Sequence, residues 1–302
     1  MKRKSIVFFL FIILFILSGC TKKDIKGLKV VVTSFPVYDM TRGIKGDSKN
    51  IKMLIKPGAE VHSFDPTPED IKDILNSDLF IYIGGESDRW LKDILKEINP
   101  KKTKVIKLID YVKTYQEEKT LEEKDELELD EHIWTDPLNY IKLMKEINKE
   151  ISKKDHQNKD KYYNNMKNYI DKIITLDNET KEVIMNSKKK ELVVADHFPF
   201  LYFVKHYNLK YIAAFSGCSD QIETSPKAIT TLITKVKEEN ISVIIKRELS
   251  NDKLARIVAK ETKTKVLVLD SAHNLSLEDF NHKKTYLDIM KHNKEVLKEA
   301  LN

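Results

Sequence analysis

"ELVVADHFPFLYFVKHYNLKYIAAF", residues 191–215, sets two short apolar, β-branched runs, 191–196 and 211–215, on either side of a stretch with helical spacing. A strand, a crossover helix and a second strand in so few residues make a unit that builds parallel sheets. Working outward, "SVIIK" (242–246) and "KVLVLD" (265–270) read as further strands. Between them "SPKAITTLITKVKEEN" and "NDKLARIVAKETK" have helical spacing, the first with Ser225 as cap and Pro226 behind it.

The other half of the chain repeats the pattern without repeating the residues. "KVVVTSF" (29–35), "IKMLI" (51–55), "DLFIYIG" (78–84) and "KVIKLI" (104–109) read as strands, with helical patterns between the first of them. From Asp136 and Pro137 a stretch free of Gly and Pro runs to about Lys190, with one break near Lys153 to Asp160. Such a stretch reads as a helical connector, stiffer than a glycine-rich hinge. The expected fold is α/β with two lobes, each a mostly parallel sheet flanked by helices. The expected division is a first lobe at 28–155, a connecting helix at 156–190 and a second lobe at 191–302. Residues 115–131 are dense in acid and read as a solvated helix or loose loop.

The chain's start is of another kind. Lys2, Arg3 and Lys4 precede the apolar run Ile6–Leu17, which ends in "LSGC" at Cys20. That is a secretory signal over 1–20, followed by a polar tether at 21–27, and the run is too short to span a bilayer. Formal net charge is +6, and removal of the signal with its three basic residues leaves +3. So small a surplus gives no reason to expect nucleic acid. Cys20 and Cys218 are the only cysteines.

His62, His132, His197 and Asp270 all lie in or beside loops at strand exits. In open parallel sheets ligands bind in the crevice at the carboxyl ends of strands, so these are places from which side chains converge between lobes. Three neutral imidazoles and a carboxylate suit a borderline divalent ion such as zinc, at bonds of ~2.0 to 2.2 Å. Spacing alone does not make that case, because no short H-x-x-x-H pattern is present and single loop histidines are common. His273, three residues beyond Asp270, competes with it; the strand-end argument prefers Asp270. His156, His206, His282 and His292 fall on charged helical faces and read as solvated. Trp134 and the aromatic run Phe198, Phe200, Tyr202 and Phe203 read as packing near the site.

The motifs carry more. "LSGC" resembles the lipobox of bacterial lipoproteins, in which the cysteine is acylated; with Cys20 so used, Cys218 has no intramolecular partner. "GAEVHSFDPTPED" (58–70), "DEHIWTDPLN" (130–139), "VVADHFPFLYFVKHYNLK" (193–210) and "SGCSDQIETSPKAIT" (216–230) together resemble, in order, the metal-binding lipoproteins of bacterial zinc and manganese ABC transporters. Glu60 and Val61 stand where that family has a small residue and proline, Glu131 where it has a proline before the second histidine, and Thr224 where it has another proline.

The resemblance implies that His62, His132, His197 and Asp270 hold the ion, and that histidine at 197 marks the zinc-type rather than the manganese-type members. It further implies an extracytoplasmic, lipid-anchored monomer that captures Zn²⁺ as transported ligand and delivers it to a membrane permease driven by a separate ATPase. A manganese- or iron-specific protein of the same kind is the alternative within that class. Outside it stand an exported zinc hydrolase using Glu223 or Glu248 as base, and a surface adhesin. Four protein ligands and the lack of an H-E-x-x-H helix favour holding an ion over catalysis.

Overall fold

The computed structural model describes residues 27–118, 120, 121, 128–216 and 225–302. The signal, Cys20, Cys218 and Glu223 lie outside the described residues.

Each half holds one four-stranded, wholly parallel sheet. The first runs β1 (Val30–Val32), α1 (Phe35–Lys45), β2 (Ile51–Met53), α2 (Pro68–Leu75), β3 (Leu79–Tyr82), α3 (Leu91–Glu97) and β4 (Lys104–Lys107), with strand order β2-β1-β3-β4. β1 is central, Val30 lying beside both Ile51 and Leu79, and all three of its valines are buried. A strand covered on both faces is written as an unbroken β-branched run, which is what "VVV" is.

The second half runs β5 (Glu191–Phe198), α6 (Leu201–Tyr207), β6 (Lys210–Ser216), α7 (Pro226–Glu238), β7 (Val243–Arg247), α8 (Lys253–Thr262) and β8 (Lys265–Leu269). Its order, β6-β5-β7-β8, matches the first sheet position for position. All eight expected strands are present. The chain closes with α9 (Leu277–Asn281) and α10 (Tyr286–Ala300).

Between the sheets lie α4 (Pro137–Lys154) and α5 (Lys159–Asn186), parted by a short turn at His156–Asn158 where the break was expected. Asp136 caps α4, its side chain accepting from the Leu138 N–H at 2.8 Å, with Pro137 supplying a first helical residue that needs no partner for an N–H. α5 packs on α1 and α4 of the first half and on α10 at the end of the second. One buried carboxylate gathers these helices: Asp39 accepts from the Tyr140 hydroxyl, the Tyr169 hydroxyl and the Tyr286 N–H, and pairs with Arg42. One apolar cluster runs through both halves, from Val32 and Trp134 to Phe198 and Leu297, and a smaller one lies on the outer face of each sheet, around Phe80 in the first half and Leu232 in the second.

The described ends of the acidic segment, 115–118, 120, 121 and 128–131, are anchored to one another and to the second half. Gln116 and Leu129 form an antiparallel bridge, and the Glu117 N–H donates to the Glu128 carbonyl at 2.8 Å. This ribbon docks on the second half: Glu118 pairs with Lys205 and accepts from the Tyr211 hydroxyl at 2.9 Å, and the Leu121 N–H bonds the Ala213 carbonyl at 3.3 Å. Among the described residues no helix is long and apolar enough to cross a membrane.

Candidate metal centre

His62 lies in the loop from β2 to α2. The far end of that loop is closed by a capping box in which Thr67 and Asp70 exchange bonds. Its near end is stitched to the loop after β8: the Gly58 N–H donates to the Leu275 carbonyl at 2.6 Å, and the Asn274 side-chain amide donates to the carbonyls of Lys56 and Ala59 at 2.9 and 2.8 Å. The two loops, more than 200 residues apart in sequence, are thereby one structural unit.

His132 is buried at the turn preceding α4. Its Nδ1 is 3.1 Å from Asp130 Oδ1, the oxygen that also accepts the His132 N–H at 2.8 Å. A carboxylate on Nδ1 sets the ring's orientation and leaves Nε2 as the metal-binding atom. Trp134 packs on this ring at 5.3 Å between centroids and on the ring of His273 at 4.8 Å, while its N–H donates to the Ser271 carbonyl at 2.8 Å.

Asp270 and His273, the two candidates at the end of β8, differ in their surroundings. β8 ends at Leu269, and Asn293 pins Asp270 there through both backbone groups. Asp270 Oδ1 accepts from the Ala272 N–H at 2.9 Å, and Oδ2 lies 3.8 Å from Lys284 Nζ. Burial and the nearby Glu248 push its carboxyl well above the usual range. Ala272 then takes a left-handed conformation, φ +58°, and turns His273 inward. The His273 ring meets the rings of His62 and His132 edge-on at 5.7 and 5.2 Å. Burial, then the neighbouring His132 and His62, hold it well below the ordinary histidine pKa, so it stands as the neutral base that coordination needs.

The described donors that crowd together are His62, Glu131 and His273, each offering an atom within 4.8 Å of the others. Glu131, read from the sequence as a replacement for a loop proline, is 3 % exposed. The signal that could have found it is an acidic residue directly before a candidate ligand. Burial raises its pKa, and His132 with the two bonds from Ser87 pulls the other way.

His197 lies at the carboxyl end of β5, the end from which the His273 loop also leaves its sheet. It is buried, with its ring stacked on Phe215 at 4.7 Å and 24°. Asp196, beside it, accepts from the His197 N–H and from Arg247.

Two further residues bear on the alternative reading and on an expectation of solvent exposure. Glu248, the candidate base of a hydrolase, has both oxygens committed to Ser271, one to its N–H at 2.8 Å and one to its hydroxyl. His206 is not solvated: it is wedged between Asp136 at 3.2 Å and Asp177 at 2.8 Å. His156, His282 and His292 are exposed as expected.

Two matched parallel sheets, tied by a long helix and bringing imidazoles together where loops of both halves meet, define a two-lobed metal-binding protein. A family model described as the periplasmic component A of the zinc-uptake complex matches residues 30–300. The chain belongs to that family. It is 33 % identical over 287 residues to the high-affinity zinc uptake system protein ZnuA of Bacillus subtilis, covering 92 % of this chain and 89 % of that one. It is 30 % identical over 287 residues to the zinc-binding protein AdcA of Streptococcus pyogenes, covering 90 % of this chain and 55 % of that one. The chain thus spans about half the length of this streptococcal relative. The crystal structure of the Zn(II)-bound ZnuA-like domain of Streptococcus pneumoniae AdcA superposes with a TM-score of 0.75 at 30 % identity, covering 91 % of this chain and 98 % of that one.

Proposed function

We propose that this protein captures Zn²⁺ between its two lobes and hands it to the permease of an ABC transporter driven by a separate ATPase. The proposed ligands are the imidazoles of His62, His132, His197 and His273. The observation that carries the reading is the His273 ring set edge-on to the rings of both His62 and His132, from loops that belong to different sheets. Neutral imidazoles select borderline ions over hard ones, which favours zinc over manganese. Family membership supports the same reading.

The protein works outside the cytoplasm, held to the membrane by acylated Cys20, as a monomer and without catalysis. The engagement of Glu248 with Ser271 weighs against the hydrolase reading.

Equilibrating purified protein with competing Zn²⁺ and Mn²⁺ and assaying bound metal tests the proposal. One Zn²⁺ per chain, retained in excess Mn²⁺, is the expected result. Failure to bind either ion, or hydrolysis of ester or phosphate substrates dependent on the cleft, would overturn it.

A further inference from the structure

Four neutral imidazoles would leave a bound dication's whole charge in a buried cleft. The geometry points to Glu131 as the group that offsets it: we infer that Glu131 Oε1 binds the captured cation directly, beside His62 and His273. This deepens the reading above and rests on it.

One half of the carboxylate is anchored. Oε2 accepts from the Ser87 N–H and the Ser87 hydroxyl, both at 2.9 Å, in the turn at Glu86–Asp88 after β3. That anchor aims the other oxygen. Oε1 is buried, makes no hydrogen bond among the described residues, and lies 3.9 Å from Nε2 of both His62 and His273. Donors around a five-coordinate zinc with bonds near ~2.1 Å sit roughly 3 to 3.5 Å apart, so Oε1 needs only a small approach to each imidazole to join the four histidines on one ion. A buried carboxylate oxygen without a donor is costly, and a cation removes that cost.

The backbone has made room for this arrangement. A Cβ on Gly85 would fall 2.1 Å from Glu131 Cβ and 2.2 Å from Oε2, so only glycine at 85 lets the carboxylate reach its anchor. The other nearby acids are engaged elsewhere. Asp130 faces His132 Nδ1, and Asp88 accepts the Gly84 N–H at 2.8 Å. Glu131 alone among them points a bare oxygen at the histidines.

X-ray absorption on the zinc-loaded protein, wild type beside Glu131→Gln, tests the assignment together with chelator-competition affinities. The expected wild-type shell contains imidazoles and one carboxylate oxygen. In Glu131→Gln that oxygen is lost and affinity falls more than ~100-fold, beyond the 10- to 100-fold typical of groups that only orient a ligand. A wild-type shell without carboxylate oxygen, or a shell unchanged in Glu131→Gln, would overturn the inference while leaving the zinc-capture reading intact. No zinc bound by the wild type would instead sink that reading. The wild-type spectrum needs no variant, so a misfolded Glu131→Gln cannot obscure the answer.

Discussion

Trp134 and Ser271 face each other across the junction of the two halves, the indole N–H donating to the carbonyl at 2.8 Å. Trp134 belongs to the segment that carries His132, and Ser271 to the one that carries His273, so the bond holds two candidate ligands in register. Trp134→Phe keeps much of the buried ring and removes the donor, leaving a carbonyl unpaired. Loss of about 1 to 3 kcal/mol in denaturant unfolding of the metal-free protein is expected. Stopped-flow transfer of zinc to a chelator should be severalfold faster.

His273 and Asp270 separate cleanly by substitution. His273→Ala is expected to lower zinc affinity at least ~100-fold, since it removes a donor rather than a group that orients one. Asp270→Asn should stay within a few-fold, because the Asp270 carboxyl is occupied with Ala272 and faces Lys284. Competition against a chromogenic chelator reads both; the reverse ranking would restore Asp270 to the ligand set.

Asp88 makes the metal-free fold sensitive to pH. Burial pushes its carboxyl up to about 7. A raised carboxyl favours the folded state below its unfolded value, and that contribution is lost as pH rises through the folded value. Between pH 5 and pH 8 the wild type should therefore lose about 2 to 3 kcal/mol relative to Asp88→Asn. Paired urea titrations of the two proteins at each pH would show it; parallel curves would contradict it.

His206 holds Asp136, the cap of α4, and Asp177, in the middle of α5, on its two ring nitrogens. Burial works to raise the Asp177 pKa, but the bonds from His206 and Lys181 outweigh it and leave it depressed. A depressed carboxylate contributes stability above its unfolded pKa and loses it as pH falls through the folded value. His206→Ala should cost about 2 kcal/mol or more at pH 7, since it strands partly buried charge. Its acid unfolding, followed by circular dichroism, should begin at higher pH than in the wild type.

The two sheets are legible because covered parallel strands are written as continuous apolar runs, and "KVVV" and "ELVV" admit little else. The choice between Asp270 and His273 is not legible in the same way. It turns on a left-handed Ala272, a conformation that alanine does not announce, and on Asn293, which holds the strand end from 23 residues away. Glu131 is hidden for a related reason: its direction is decided by Ser87, 44 residues earlier, and by the space at Gly85. His206 sits on a polar-looking helix face, and only the packing of α5 shows that the charges around it are buried partners. Local pattern carries the scaffold; long-range anchoring carries the site.

The bonds from Gly58 and Asn274 give the cleft a latch. Three hydrogen bonds, each worth about 1 kcal/mol net, close the His62 loop on the His273 loop without help from any ion. Parting the two loops breaks these bonds and leaves untouched the Asp39 junction, whose partners Tyr140, Tyr169 and Tyr286 lie elsewhere in the fold.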